Sequence, residues 1–261
     1  MGILICPWIS RFVGWCLNRR ISRYLVNSFV RKNQLNLEDY PDRTYGSFND
    51  FFTRKVIQER RPIDENPEHL IAPCDGKLTA IPIWPGTRFT VKGVSYTLEE
   101  LLRDEALARQ YRGGMFLLFR LTVDDYHRYC YVSDGVPGEI VRVPGVYHTV
   151  NPRAASAHPI YRENTREYMC LQTAYFGSIL VMEVGALMVG RIKNYRPGNM
   201  VQRGQEKGLF EFGGSTIILL LEKGRVQVDE DVLRNSAAGE ETLVKMGEKI
   251  GAVQKQIGPM V

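Results

Sequence analysis

The spacing of apolar and polar residues divides the chain into a helical front part and a longer part that is rich in strands. Between Pro7 and Leu25, apolar side chains recur at intervals of three and four residues, and arginine, asparagine and serine occupy the opposite side. This pattern predicts an amphipathic helix with a proline in its first turn. A second, short helix is predicted to begin near Ser47, with the apolar residues Phe48, Phe51, Phe52 and Val56.

The segment 60–62 is basic and contains a proline, so it marks the end of the helical part. We therefore divide the chain into a helical region at residues 1–61 and a β-rich domain at residues 62–261. From Leu70 onward, short apolar and β-branched runs alternate with glycines, and strands are predicted at 77–81, 115–119, 179–184 and 216–221.

One helix is predicted among these strands, at 97–102, where Thr97 and Glu100 have the spacing of a capping box. Because the strands do not alternate regularly with helices, a Rossmann-type sheet is not predicted. The sequence instead predicts an α+β, mainly β fold, in which N-terminal amphipathic helices precede a β-sandwich or barrel-like core.

The charge is unevenly distributed along the 261 residues. The formal net charge is +5, and residues 1–61 hold eleven Lys and Arg against five Asp and Glu. A basic end predicts an anionic partner, either nucleic acid or a phospholipid surface. The basic end lacks a recognition-helix, zinc-finger or aromatic RNA-binding pattern, so a nucleic-acid partner is disfavoured.

The first predicted helix has the features of a segment that lies on a membrane. Arg11 and Arg19 interrupt it too early for a spanning stretch of about 20 apolar residues, and no signal-peptide cleavage pattern follows. Trp8 and Trp15, flanked by arginines, favour the membrane surface. The alternative is a helix whose apolar face packs on the protein's own core.

The cysteines give no sign of a disulfide framework or a metal site. There are five, they are scattered, and no CxxC pair occurs, which favours a reducing compartment. A zinc site at His127 and Cys130 lacks two further ligands at a suitable spacing, so no metal is predicted.

Four segments, at 72–77, 124–130, 144–152 and 209–216, contain residues suited to chemistry. Taken singly, each has an ordinary explanation: Asp75-Gly76 is typical of a hairpin turn, and Ser215 can simply begin a strand. His127 can exchange protons near neutral pH. No P-loop, dinucleotide-binding glycine motif or zinc-protease motif occurs, and Ser215 lacks the second flanking glycine of a nucleophile elbow.

Taken together, the segments closely resemble the phosphatidylserine decarboxylase family. The resemblance covers most of the chain and rests on motifs in the family's order, at 51–55, 61–63, 73–77, 125–128, 150–152, 182–186, 207–208, 212–216 and 246–251. Any one of these motifs is weak, but their agreement in order is specific.

The resemblance implies that the chain cleaves itself between Gly214 and Ser215. The Ser215 hydroxyl attacks the carbonyl of Gly214, and elimination followed by hydrolysis leaves a covalent pyruvoyl group derived from Ser215. This cofactor serves as the electron sink that converts phosphatidylserine to phosphatidylethanolamine. The implied catalytic residues are Asp75, His127 and Ser215, with Asp75 orienting a histidine base.

The chain departs from the family pattern at one position. Many members have two histidines three residues apart, the second assigned to self-cleavage, whereas this chain has His127 and Cys130. Three possibilities follow: His127 serves both steps, His148 acts as a second base, or cleavage is impaired. We favour His127, because it lies in the matching segment.

The resemblance also implies partners and a location. The expected partners are phosphatidylserine, an anionic membrane surface at the cytoplasmic face of a bacterial-type membrane, a second copy in a homodimer, and a non-covalent pair of chains, 1–214 and 215–261. One alternative is a catalytically silent, lipid-binding homologue that does not mature. Another is a lipoyl- or biotinyl-type carrier, suggested by 247–250, but no lysine stands at a recognisable hairpin tip.

Overall fold

The computed structural model describes residues 12, 14–145, 164–185, 191–211 and 215–255. Its front part is helical. Residues 14–17 are helical, and they are followed by a 3-10 turn at Arg20–Arg23, helix α1 (Tyr24–Asn33) and helix α2 (Phe48–Phe52). A second 3-10 turn, Gln58–Arg60, precedes the first strand.

The prediction of one continuous helix up to Leu25 is wrong, because the described part of this segment is broken at residues 18–19. Arg19 has an extended backbone (ψ 148°). The Asn18 side-chain amide donates to the carbonyl of Gly14 at 3.0 Å, and the Ser22 hydroxyl lies 2.8 Å from the carbonyl oxygen of Leu17. Side chains that satisfy these carbonyls compete with backbone N–H groups and so end the helix.

Helix α2 begins where the sequence predicts it. The Ser47 hydroxyl caps it by accepting from the backbone N–H of Asp50 at 3.1 Å. Phe48, Phe51 and Phe52 form a buried cluster with Val26 of α1. The helix ends at Phe52, so Val56 lies outside it.

Several large apolar side chains near the N-terminus are exposed to solvent. They are 52–76% exposed and comprise Phe12, Trp15, Ile21, Tyr24 and Leu25. These five side chains therefore do not pack on the protein's own core. In the ranges that the structure describes, no helix has the length and apolar character needed to cross a membrane.

The centre of the molecule is an eight-stranded antiparallel sheet. Its order is β15 (Thr242–Val244), β2 (Gly76–Pro82), β5 (Met115–Leu121), β13 (Ser215–Leu221), β10 (Gly177–Val184), β9 (Arg166–Thr173) and β7 (Val136–Pro137), with β8 (Val141–Val143) also paired to β9. The four strands predicted from the sequence lie within β2, β5, β10 and β13, so those predictions are confirmed.

Smaller sheets and short helices surround this sheet. One three-stranded sheet contains β1 (His69–Ile71), β16 (Lys249–Val253) and β14 (Val226–Val228), and another contains β11 (Ile192–Asn194), β12 (Glu206–Phe210) and β6 (Arg128–Cys130). Strands β3 (Phe89–Val91) and β4 (Val94–Tyr96) form a hairpin. The helices are α3 (Leu98–Leu102), with the predicted capping box of Thr97 and Glu100, α4 (Glu105–Gln110) and α5 (Glu230–Ala237).

Both faces of the central sheet are buried. On β13, Ile217, Leu219 and Leu221 join a core with the three-stranded sheets and α5, whereas Ile218 and Leu220 join a second core with the β3–β4 hairpin, α3 and α4. Burial on both faces explains why β13 is continuously apolar instead of alternating. The prediction of an α+β, mainly β fold with N-terminal helices is confirmed, whereas the division at residue 61 stays a prediction.

Asp75-Gly76 does not form a hairpin turn. Strand β1 pairs with β16, and β2 pairs with β5 and β15, so the segment 72–76 carries the chain from one sheet to another. Gly76 has a φ of +152°, and a Cβ atom built on it lies 2.9 Å from the carbonyl oxygen of Arg120. The glycine is therefore required by the close approach of β5.

Substitution Gly76→Ala is expected to lower the free energy of unfolding by about 1–3 kcal/mol, because the added methyl group contacts backbone that cannot rotate away. Urea denaturation of the purified variant measures this. The matched control is Gly198→Ala, where the nearest atom to the added Cβ is 3.6 Å away. Equal stability of the two variants would show that the contact at Gly76 is easily relieved.

Candidate active site

Ser215 lies at the first position of β13, in the middle of the central sheet. It is paired with Leu121 on β5, and the next residue, Thr216, is paired with Val184 on β10. The serine is 1% exposed. Gly214 lies outside the described residues. The strand neighbours on both sides therefore hold Ser215 at one end of the sheet.

Asp75 and the segment that carries His127 lie at this same end. Strand β2 begins at Gly76 and runs along the other side of β5, with Lys77 opposite Arg120. Because Ser215 is opposite Leu121, the starts of β2 and β13 flank the end of β5 at two strand spacings, roughly 10 Å apart. The chain leaving β5 leads directly to His127, so the structure brings together the segments of all three predicted residues.

His127 is almost fully buried, with 1% of its surface exposed. Its Nδ1 is 2.9 Å from the carbonyl oxygen of Asp125. A carbonyl only accepts hydrogen bonds, so Nδ1 carries the ring proton and Nε2 carries the lone pair. Within the described part of the chain, Nε2 has no hydrogen-bond partner.

Burial makes His127 neutral. Desolvation lowers its pKa to about 3, against an ordinary value of 6.5, and the charges of Arg54 and Lys92 act in the same direction. The hydrogen bond to Asp125 and the charge of Asp124 oppose this effect. The result is an unprotonated Nε2 at neutral pH, which is the form that a general base requires.

Asp75 is held by an arginine. Arg61 donates from Nε at 2.8 Å and from Nη2 at 2.6 Å to the two carboxylate oxygens, and the backbone N–H of Met246 donates to Oδ1 at 2.9 Å. Arg61 also donates to Asp39 at 2.8 Å. The Nδ1 atom of His127 is bonded to the Asp125 carbonyl, so the role of Asp75 in orienting a histidine stays a prediction.

Cys130 is buried against the segment that precedes Asp75. Its backbone N–H donates to the carbonyl of Pro73 at 2.9 Å, and its Sγ is 4.0 Å from the carbonyl oxygen of Ala72. Burial raises the pKa of the Cys130 thiol to about 12, with a smaller contribution from the Asp75 charge. The thiol is therefore protonated and cannot replace a histidine as a base.

A buried ion pair holds strand β12, which precedes Ser215 in the chain. The Lys207 ammonium on β12 donates to Glu183 of β10 at 2.7 Å and to Asn194 of β11 at 2.8 Å, with both charged side chains at most 1% exposed. At the end of β12, the backbone N–H of Phe210 donates to the carbonyl of His127 at 2.9 Å. These contacts join β10, β12 and the His127 segment.

Sequence reasoning gave no role to Arg54, Arg61, Glu183 or Lys207, although all four lie within the motifs of the family resemblance. The available signal was a charged residue beside apolar ones, such as Arg54 after Phe51 and Phe52. That signal indicates burial but does not identify the partner. His148, the reserve base, lies outside the described residues.

A groove of about 1140 Å³ lies between α1 and residues 37–45. Its lining combines apolar and basic side chains, among them Val26, Val30, Tyr40, Arg23, Arg31 and Arg43. The ring of Tyr40 also contacts the guanidinium of Arg54, whose Cζ is 4.1 Å from the ring centroid. Tyr40 therefore contributes both to the lining of the groove and to the surroundings of Arg54.

Comparison with known proteins identifies the family. A family model described as phosphatidylserine decarboxylase matches residues 48–252. A "Phosphatidylserine decarboxylase proenzyme 2" of Clostridium acetobutylicum is 44% identical over 90% of this chain and 80% of its own length. Proenzymes of Clostridium botulinum and Fusobacterium nucleatum are each 39% identical over 94% of this chain, covering 84% and 83% of their own lengths. These matches confirm the resemblance and the expectation of a decarboxylase enzyme, and the chain belongs to the phosphatidylserine decarboxylase family.

Proposed function

We propose that this chain decarboxylates phosphatidylserine to phosphatidylethanolamine with a pyruvoyl group that it forms from its own Ser215. The observation that carries the proposal is the position of Ser215: it is a buried serine at the end of the sheet where Asp75 and the segment bearing a neutral histidine also lie. Membership of the phosphatidylserine decarboxylase family supplies the substrate class.

Self-cleavage begins when the Ser215 hydroxyl attacks the carbonyl carbon of Gly214. A base must take the hydroxyl proton, and the lone pair on Nε2 of His127 is suited to this task. The acyl group of Gly214 moves from nitrogen to oxygen, and removal of the Ser215 α-proton then expels it as a carboxylate. Ser215 is then a dehydroalanine. One water molecule hydrolyses it, which releases ammonia and leaves the pyruvoyl group.

The residues at this end of the sheet fit a buried carbonyl cofactor. The pyruvoyl group supplies an electron-withdrawing carbonyl that accepts electrons as carbon dioxide leaves the substrate. We expect the unpartnered Nε2 of His127 to hold a proton and to return it to the substrate carbon. Burial of Ser215 and His127 excludes the water that would otherwise solvate these groups.

The strand pairing supports a mature enzyme of two associated chains. Residues 215–255 contribute β13 to the centre of the large sheet, β15 beside β2, and β16 between β1 and β14. A break before Ser215 leaves these strand pairs intact, because it falls at the beginning of β13. The small chain is thus expected to remain bound without a covalent link.

The exposed apolar side chains of the N-terminal region support attachment to a membrane surface. Phe12, Trp15 and Ile21 are exposed, and the guanidinium of Arg19 lies 4.0 Å from the ring centroid of Trp15. Apolar groups beside arginines suit an anionic bilayer surface. We place the enzyme at the cytoplasmic face of a bacterial-type membrane.

A second candidate is a lipid-binding homologue that does not mature. The protonated thiol of Cys130, at the position where many family members have a histidine base, favours it. A denaturing gel separates the candidates: the silent protein runs as one full-length band, whereas the enzyme runs as residues 1–214 and 215–261.

The substitution Ser215→Ala is expected to leave the chain intact and inactive, because alanine has no nucleophile. Intact mass spectrometry should find two chains in the wild type, the smaller one lacking a free amino terminus, and a single chain in the variant. Ser133→Ala, at another buried serine, is the matched control and should still cleave. Cleavage of Ser215→Ala would contradict the proposed chemistry.

The substitution His127→Gln is expected to slow self-cleavage by about 100-fold or more, the usual contribution of a general base. Cys130→Ser should leave the rate unchanged, because the thiol is already protonated, and Cys130→His should raise the rate by supplying a second base. Pulse-labelled synthesis followed by gel electrophoresis measures these rates. If His148→Gln blocks cleavage and His127→Gln does not, the base is His148.

The neutral state of His127 also predicts a pH dependence of stability. The pKa of His127 is lowered from 6.5 to about 3 on folding, so the unfolded chain binds more protons than the folded one between these values. Stability should therefore fall as the pH is lowered from about 6.5 towards 3, by at most about 5 kcal/mol from this residue. Urea denaturation of Ser215→Ala with and without His127→Gln should give a flatter pH profile without the histidine. Parallel profiles would show that folding does not shift the pKa of His127.

A further inference from the structure

Arg54 is a buried cation for which the described structure provides no counter-anion. It follows α2 and is 2% exposed. Its guanidinium Cζ is 4.1 Å from the ring centroid of Tyr40 and 4.5 Å from that of Phe51, and Nη1 donates to the carbonyl of Phe51 at 3.3 Å. Both rings are within cation–π distance of the guanidinium, and Nε and Nη2 are its remaining donors.

The remaining donors of Arg54 are Nε and Nη2, which together form a fork that can bind an anion through two hydrogen bonds. Within the described residues, Nε and Nη2 of Arg54 have no hydrogen-bond partner although both are buried. Arg61 shows what this same pair of atoms does when an anion is present, because its Nε and Nη2 bind the carboxylate of Asp75. A buried charge with unsatisfied donors is strongly unfavourable unless a ligand completes it.

The fork lies beside the candidate base. The preceding residue, Thr53, accepts from Nε of Arg128 at 2.8 Å, and the Phe52 ring centroid is 4.0 Å from that of His127. Nε2 of His127 is also a buried polar atom without a partner in the described chain. The Arg54 donors and the His127 acceptor are thus buried on adjacent segments without hydrogen-bond partners in the described chain. Together they indicate that a polar ligand binds between the helical region and the sheet.

We propose that Arg54 binds the phosphodiester of the lipid headgroup through Nε and Nη2, an assignment that rests on the proposed function. The headgroup also has a carboxylate, but that group leaves as neutral carbon dioxide. A cation paired with it stabilises the substrate more than the transition state and so slows the reaction. The phosphodiester keeps its charge throughout, so Arg54 can anchor it without opposing the chemistry.

Product binding distinguishes the two anions, because phosphatidylethanolamine keeps the phosphodiester and lacks the carboxylate. We would compare wild type, Arg54→Gln and Arg54→Lys with monomeric dihexanoyl phosphatidylserine and dihexanoyl phosphatidylethanolamine, so that membrane attachment plays no part. Lys55→Gln removes the same charge from the exposed neighbouring residue and is the matched control.

For Arg54→Gln we expect KM for the serine lipid and Ki for the ethanolamine lipid to rise together by about 10- to 100-fold, with little change in kcat. Arg54→Lys should be intermediate, since it retains the charge without the fork, and Lys55→Gln should resemble wild type. A rise in KM with an unchanged Ki would assign Arg54 to the carboxylate and overturn the proposal. Unchanged KM and Ki would also overturn it.

Two further measurements, a calorimetric titration and a test of self-cleavage in the Arg54 variants, separate this proposal from the proposed function. Calorimetric titration of dihexanoyl phosphatidylethanolamine into Ser215→Ala, with and without Arg54→Gln, needs no pyruvoyl group and should show the same loss of affinity. If wild type neither cleaves nor decarboxylates, the proposed function fails while this titration still tests Arg54. If Arg54→Gln or Arg54→Lys abolishes self-cleavage, Arg54 serves the fold or the cleavage step, and the phosphodiester assignment fails.

Discussion

The pairing of β13 with β5 on one side and β10 on the other is the constraint on which the rest of the structure depends. It places Ser215 at the end of the central sheet and buries residues 217–221 on both faces. A peptide break just before the first paired residue leaves the ladder of hydrogen bonds intact. The same pairing that positions the serine therefore allows the chain to be broken there without loss of the fold.

Around this strand, charged groups are desolvated in three different ways. Asp75 with Arg61, and Glu183 with Lys207, form hydrogen-bonded pairs of opposite sign. His127 has no such partner and is neutral, since desolvation lowers its pKa. Arg54 is buried as a cation in contact with two aromatic rings. The ion pairs satisfy their own charged groups, whereas within the described residues His127 and Arg54 each keep buried polar atoms without a partner, and those of Arg54 are donors suited to an incoming anion.

Local signals in the sequence predicted the elements whose formation depends on neighbouring residues. The run 216–221 and the capping box at Thr97 and Glu100 are of this kind, and both are confirmed. The break at residues 18–19 was missed because side-chain hydrogen bonds from Asn18 and Ser22 outweigh the apolar periodicity. The Asp75-Gly76 turn was misjudged because membership of a sheet depends on distant strands. Arg61 and Asp75, fourteen residues apart, show why site partners could not be read locally.

Because Cys130 stands where many family members have a second histidine, few groups can act as the base in self-cleavage and in decarboxylation. Loss of solvation raises the pKa of the Cys130 thiol to about 12, and the Asp75 charge adds a smaller contribution, so a thiolate is disfavoured there. His127 is the histidine that the described structure offers at this end of the sheet. The desolvation that keeps its imidazole unprotonated also makes it a weak base, so that proton removal from Ser215 is uphill. Self-cleavage happens once for each polypeptide, whereas decarboxylation is repeated. A weak base is therefore tolerable for cleavage, and once protonated the same imidazole readily gives its proton to the carbon that has lost carbon dioxide.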